Sequence, residues 1–189
     1  MKKSYIAQAW LVICLALCFG AALAAVETAL SDRIQANKLA KTLSKIPQLV
    51  PGAEQGQAAT VAGRKVYRAM AADKQVGWVV PADGQGFADK IELLIGLDNT
   101  AEVITGLAVL AQKETPAVGN KIENADWRSQ FAGKKAAEPL TVSKARPTGN
   151  EILAVSGATI SSSSVCEIVN RAVAEFRKGL ASAERPPKE

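Results

Sequence analysis

The strongest constraint on this chain lies near its N-terminus. From Ala9 to Val26 it reads AWLVICLALCFGAALAAV, eighteen residues without a charge. Such a run cannot be an ordinary surface helix, because it has no polar face to give to water. About 20 apolar residues span the hydrocarbon core of a bilayer. Lys2 and Lys3 precede the run and Glu27 follows it. The positive-inside tendency therefore keeps the N-terminus in the cytoplasm and puts the remainder outside. Tyr5 and Trp10 sit near one end of the run, where amphipathic rings favour the membrane interface.

A cleaved signal peptide and a retained anchor both begin this way. Ala22-Leu23-Ala24 fits a small-residue cleavage site. The apolar run, however, is longer than the roughly 7–15 residues of a signal-peptide core. Leu30, Ile34, Ala36, Leu39, Leu43 and Ile46 then continue at near-helical spacing up to Pro47. These features favour an anchor. A lipidated Cys18 fits less well, since Leu17 is bulky and apolar sequence continues beyond it. Cys14 and Cys18, one helical turn apart, read as small apolar residues in lipid or in a helix contact. The expected organisation is a cytoplasmic N-terminus over 1–8, a transmembrane anchor over 9–27 and a helical stalk over 28–47. An extracytoplasmic domain follows over 48–182, with a disordered tail over 183–189.

Composition narrows the chemistry. There is no histidine and there are three cysteines. This excludes Ser-His-Asp and Cys-His catalysis, histidine-ligated zinc and the usual haem attachment. No metal site and no catalytic residue are expected. The net charge of +5 is mild and does not suggest a nucleic-acid partner. Redox or group-transfer chemistry would need a borrowed cofactor.

The external part reads as α+β, an antiparallel sheet with flanking helices. Leu49–Ala53 and the Gly, Gln and Ala residues after it read as a linker or turn, and 65–70 and 75–80 as strands. Residues 81–86 (PADGQG) read as a loop. Residues 91–97 and 103–110 form a hairpin around Asp98-Asn99-Thr100. Residues 113–120 read as loop, and 124–131 as a short helix capped by Asn124. A short strand is expected near Leu140-Thr141-Val142. Val165, Ile168, Val169, Ala172, Val173, Phe176 and Leu180 form the stripe of a final amphipathic helix.

One segment carries chemistry. Val155-Ser156-Gly157-Ala158-Thr159-Ile160-Ser161-Ser162 runs into that helix. A helix start offers N–H groups and partial positive charge to an anion. Gly157 and Ala158 permit close backbone approach, and the hydroxyls of Ser156, Thr159, Ser161 and Ser162 add donors. The segment suits a phosphate. A serine-rich N-cap, with Ser161 or Ser162 as the capping residue, would read the same way.

The SGATISS run followed by valine resembles the covalent FMN-attachment motif of the FMN-binding domain family. A second stretch agrees. Glu114-Thr115-Pro116-Ala117-Val118-Gly119, Lys121-Ile122, Trp127 and Phe131 are similar to the family's E-T-P-G-x-G…K-I…W…F segment. The order of anchor, stalk, turn, hairpin and motif matches over nearly the whole chain. Leu153 stands where the family often has aspartate, and Ala117 where it usually has glycine. The resemblance implies FMN joined to Thr159 by a phosphoester and installed by a separate flavin transferase. It also implies that Ser156, Gly157, Ala158, Ile160, Ser161, Ser162, Glu114, Thr115 and Gly119 surround the cofactor. Phe87, Trp78 and Trp127 could stack near the ring, with core packing the favoured reading for Trp127. The implied role is an electron-carrying subunit of an ion-translocating ferredoxin:NAD oxidoreductase of the Rnf type, among other membrane subunits. The expected location is the bacterial inner membrane, with the FMN domain on the periplasmic side. A C subunit-like part of an NADH:quinone oxidoreductase and a stand-alone anchored module are the alternatives.

Overall fold

The computed structural model describes residues 2–183, with side chains from residue 9 onward. Met1 and the tail beyond Ala183 lie outside the described residues. The chain divides into two compact units, Met1–Lys41 and Thr42–Glu189.

Helix α1 covers Lys2–Leu49. Its segment from Ala9 onward is long and apolar enough to cross a membrane. Trp10, Leu17, Phe19 and Leu23 are all exposed. The uncharged stretch from Ala9 to Val26, apolar on every side and exposed throughout, suits a medium other than water. Pro47 does not end it. The helix runs two residues further, and Val50 N–H still bonds the Ile46 carbonyl at 3.1 Å.

The second unit is α+β, as expected. A six-stranded antiparallel sheet runs in sequence order through β1 (Gln55–Val61), β2 (Arg64–Ala71), β3 (Lys74–Gln85), β4 (Lys90–Asp98), β5 (Val103–Ala111) and β6 (Lys134–Lys135). Two sequence expectations fail here. Gln55–Val61 is an edge strand rather than a linker, and β3 continues through Pro81 into the stretch read as a loop. The pairing of β2 with β3 ends at Tyr67–Val79. One edge of β3 is therefore free at Pro81, where a residue without an N–H is tolerated. A small parallel pair, β7 (Thr141–Ser143) with β8 (Glu151–Leu153), lies apart from the main sheet.

Strand β4 shows how the sheet is used. Ile91, Leu93, Ile95 and Leu97 face one way into the larger core, and Leu94 faces the other. Helix α3 (Thr159–Ala183) covers the larger core with Val165, Ile168, Val169, Val173 and Phe176. Trp78 meets Phe176 edge-on at 5.3 Å. The opposite face takes the end of α1, where Ile46, Leu49 and Val50 are buried. Gly96 and Gly106 pair directly across β4 and β5. A Cβ on Gly96 would lie 2.5 Å from the Leu49 carbonyl oxygen, and one on Gly106 would lie 3.0 Å from it. The two glycines clear a flat seat for the backbone, and the Thr105 hydroxyl donates to that carbonyl at 2.6 Å.

A 3₁₀ turn at Gly119–Glu123 leads into the short helix α2 (Ala125–Ser129). Asn124 occupies the capping position with extended backbone, but its side chain makes no capping bond. Trp127 is buried against Phe131 in a T-shaped contact at 5.2 Å.

Candidate functional site

The turn before α3 is built from backbone outward. Gly157 has φ +80°, which glycine adopts without strain. A Cβ there would meet only Val118 Cγ1, at 3.4 Å, so the backbone angle rather than lack of room calls for glycine. Ala158 is buried and its N–H bonds the Val155 carbonyl at 2.9 Å. Thr159, Ile160 and Ser161 then form the first turn, whose N–H groups have no carbonyl one turn back within the helix. The short helix α2 steadies the approach to this turn. Trp127 Nε1 donates to the Leu153 carbonyl at 2.8 Å, and Leu153 N–H donates to Gln130 Oε1 at 2.8 Å.

The serines do not act as the sequence suggests. Ser162 is fully buried; its hydroxyl donates to the Ala158 carbonyl at 2.9 Å and accepts from Val155 N–H at 3.0 Å. Ser161 is also buried and donates to Glu114 Oε2 at 2.6 Å. Neither is the N-cap, because α3 already starts at Thr159. Both hydroxyl protons are committed to protein acceptors.

Glu114, expected among the cofactor's neighbours, is buried instead. It is only 4% exposed. Its Oε2 accepts from Ser161, and its Oε1 accepts from Ala88 N–H at 3.1 Å. Two glycines make room for it. A Cβ on Gly86 would lie 2.2 Å from Glu114 Oε1, and one on Gly119 would lie 2.9 Å from Glu114 Cβ. On the same outer loop, Lys113 Nζ reaches Asp89 Oδ2 at 3.2 Å. The Asp89 carboxyl is held below the usual carboxylate range by Lys90 N–H and by Lys113.

Three walls enclose a cavity of about 270 Å³ at the start of α3. Phe87 forms one. Thr115, Val118 and Gly119 form the second, and the stretch from Gly157 to Ser161 forms the third. Of the expected cofactor neighbours, Thr115, Gly119, Gly157, Ala158, Thr159, Ile160 and Ser161 line it. Ser156 lies exposed on the turn, Ser162 is buried in the helix, and Glu114 stands behind the walls. Phe87 borders the cavity, whereas Trp78 and Trp127 sit in the core. Trp78 donates its ring N–H to the Asn99 carbonyl. Val118 carries no sequence signal that marks it as a lining residue. Among the described residues, the large exposed apolar side chains outside α1 are Phe87, Val118, Leu153 and Ile160. Three of these four rim the cavity.

The donor set fits the phosphate end of a ligand: helix N–H groups, the Thr115 and Thr159 hydroxyls, and a glycine turn without side chains in the way. The cavity is smaller than the roughly 300–1,000 Å³ that envelops a drug-sized molecule. It suits one end of a long ligand, with the rest against the apolar rim. Hollows of about 300 and 370 Å³ lie near Arg64 and Lys65. They adjoin the body and far end of α3, between Arg171 and Ser182, and lack a helix start. Cys166 is no nucleophile; burial pushes its thiol up to about 12. Among the described residues, no group of three or more His, Cys, Asp or Glu could hold a metal.

Comparison with known proteins points the same way. The FMN-binding domain matches residues 86–174. The chain is 36% identical over 107 residues to the G subunit of the proton-translocating ferredoxin:NAD(+) oxidoreductase complex of Clostridium ljungdahlii, 57% of each chain. It is 33% identical over 151 residues to the G subunit of the ion-translocating oxidoreductase complex of Escherichia coli, covering 77% of this chain and 71% of the relative. The chain thus spans little more than half the length of the Clostridium relative. The crystal structure of Shewanella oneidensis NqrC shares the fold, with a TM-score of 0.55 and 22% identity over 63% of this chain and 61% of that one.

Proposed function

The chain belongs to the FMN-binding domain family, and from that premise we propose that it carries FMN covalently on Thr159 as an electron-carrying subunit of an Rnf-type complex. The observation that supports this best is the place of Thr159. It opens a 25-residue helix at the edge of a cavity whose rim is apolar. A phosphoester on its hydroxyl would put phosphate oxygens beside the first-turn N–H groups, which favour negative charge. Gly157 would let the backbone approach the phosphate, and Thr115 would donate from the facing loop. Phe87, Val118 and Ile160 would exclude water from the apolar part of the group. Bound FMN would supply the electron chemistry that this histidine-free chain lacks.

The proposed organisation is an anchor over 9–27, a stalk over 28–47 and a cofactor domain over 48–182, with 1–8 cytoplasmic and the domain periplasmic. Anchoring holds the carrier near its partners at high effective concentration. The partners would be the other membrane subunits of the complex, and a flavin transferase would move FMN from FAD to Thr159 Oγ1, breaking the pyrophosphate bond of FAD and releasing AMP as the hydroxyl loses its proton.

The test is intact mass and in-gel flavin fluorescence of the full chain from its native host. Wild type is expected to carry one FMN that survives denaturation, and Thr159→Ala none, with the fold retained. Fluorescence that persists in Thr159→Ala would move the attachment site. Wild-type protein without an adduct would end the covalent reading. Co-purification with ferredoxin-oxidising subunits, rather than NADH:quinone subunits or none, would support the assignment to a complex.

A further inference from the structure

We propose that Glu114 is a positioning residue that ties together the three walls of the Thr159 cavity and keeps the Ser161 proton turned away from it. The inference rests on reading that cavity as the FMN phosphate site. Each wall has one link to this carboxylate. Ala88 N–H bonds it from the segment that carries Phe87. Glu114 itself begins the segment of Thr115, Val118 and Gly119. Ser161 bonds it from the first turn of α3.

A role as a direct ligand is disfavoured by its burial and bonding. Glu114 is buried, with both oxygens already engaged inside the protein. Gly86 and Gly119 leave the space it fills, and a methyl group at either position would press against it. Ser161 lies between Glu114 and the cavity. With its proton given to Glu114, it presents only lone pairs on the cavity side. The phosphate is then left to the helix N–H groups, Thr115 and Thr159, so Glu114 also fixes which donors the site offers. The exposed Lys113–Asp89 pair is a second tie on the Phe87 segment, but pairs of this kind contribute little.

The test uses full-length protein in detergent. It measures hydrogen exchange at the Ala88 amide, and the rate of covalent FMN incorporation from FAD with a flavin transferase. In Glu114→Ala, Ala88 should exchange about tenfold faster or more, and incorporation should slow several-fold. Glu114→Gln should restore Ala88 protection, because its amide oxygen can accept from Ala88. It should restore incorporation only in part, because its NH2 donates to Ser161 Oγ and frees the serine proton toward the cavity; full restoration would overturn the part of the proposal that concerns that proton. Ser161→Ala, which cuts one bond and spares the other, should slow incorporation with a smaller change at Ala88. It serves as the test if Glu114→Ala fails to fold. Unchanged Ala88 exchange in Glu114→Ala, or a Gln variant that protects Ala88 no better than Ala, overturns the bracket. Lost protection with normal incorporation reduces Glu114 to a structural brace and overturns positioning. Wild-type protein that takes no FMN removes the phosphate reading itself, while the exchange data still report the bracket.

Discussion

The two faces of the six-stranded sheet are covered by opposite means. On one, α3 sends a stripe of large side chains into the core, and Phe176 meets Trp78. On the other, the end of α1 approaches so closely that glycines replace side chains. Gly96 and Gly106 face the Leu49 carbonyl, and the Thr105 hydroxyl pins it. The first face depends on volume and apolar area, the second on the absence of a methyl group. Only the first also carries the candidate site, at the N-terminal end of the helix that covers it.

The sharpest way to break this comparison is to remove volume from the α3 face. Phe176 is 3% exposed, and truncating a buried Phe costs about 3–5 kcal/mol. Phe176→Ala should therefore lower the denaturant midpoint strongly at an unchanged slope. Flavin attachment should survive wherever the fold does, because Phe176 lies more than four turns along α3 from Thr159. A loss near zero would mean that α3 is not held by its stripe.

The opposite change probes the other face. Gly96→Ala adds one methyl where the Leu49 carbonyl oxygen would be 2.5 Å away. Overpacking of this kind costs about 1–3 kcal/mol. Urea unfolding should show that loss, while FMN incorporation stays at the wild-type rate. A neutral Gly96→Ala would refute the glycine seat. Reduced incorporation would show that the two faces communicate.

These contrasts also explain which features are legible in the sequence. The stripe of α3 and the hairpin around Asp98 are local patterns, and a short window contains them. Asp98 accepts from Thr100 Oγ1 and from the N–H groups of Glu102 and Val103, which is turn chemistry visible in a few residues. Strand β1 escapes such a window because Gln-Gly-Gln-Ala-Ala-Thr lacks bulky β-formers and is held by its pairing with β2. Pro81 hides the second half of β3, since only the sheet order reveals a free edge there. The glycine seat needs the β4–β5 register, which no local window contains. At the site, the resemblance to the family's motifs marks Thr159 and Glu114 together. The direction of each hydroxyl is invisible, because Ser161 finds its acceptor 47 residues away.

The smallest expected effect concerns a backbone angle in the loop walling the cavity. Ala117, in the loop after Glu114, has φ +61°. A left-handed conformation costs an L-residue about 1–2 kcal/mol. Glycine relieves that strain but returns entropy to the unfolded chain, about 0.4–1 kcal/mol. Ala117→Gly should therefore stabilise the domain by about 0.5 kcal/mol, a rise of roughly one or two degrees in Tm. Its neighbour Val118 lines the cavity beside the Gly157 turn. The same change should leave the Ala88 amide protected, since the tie through Glu114 is untouched. A stabilised variant with a loosened Ala88 would mean that the strained alanine, and not the buried carboxylate, holds the walls in place.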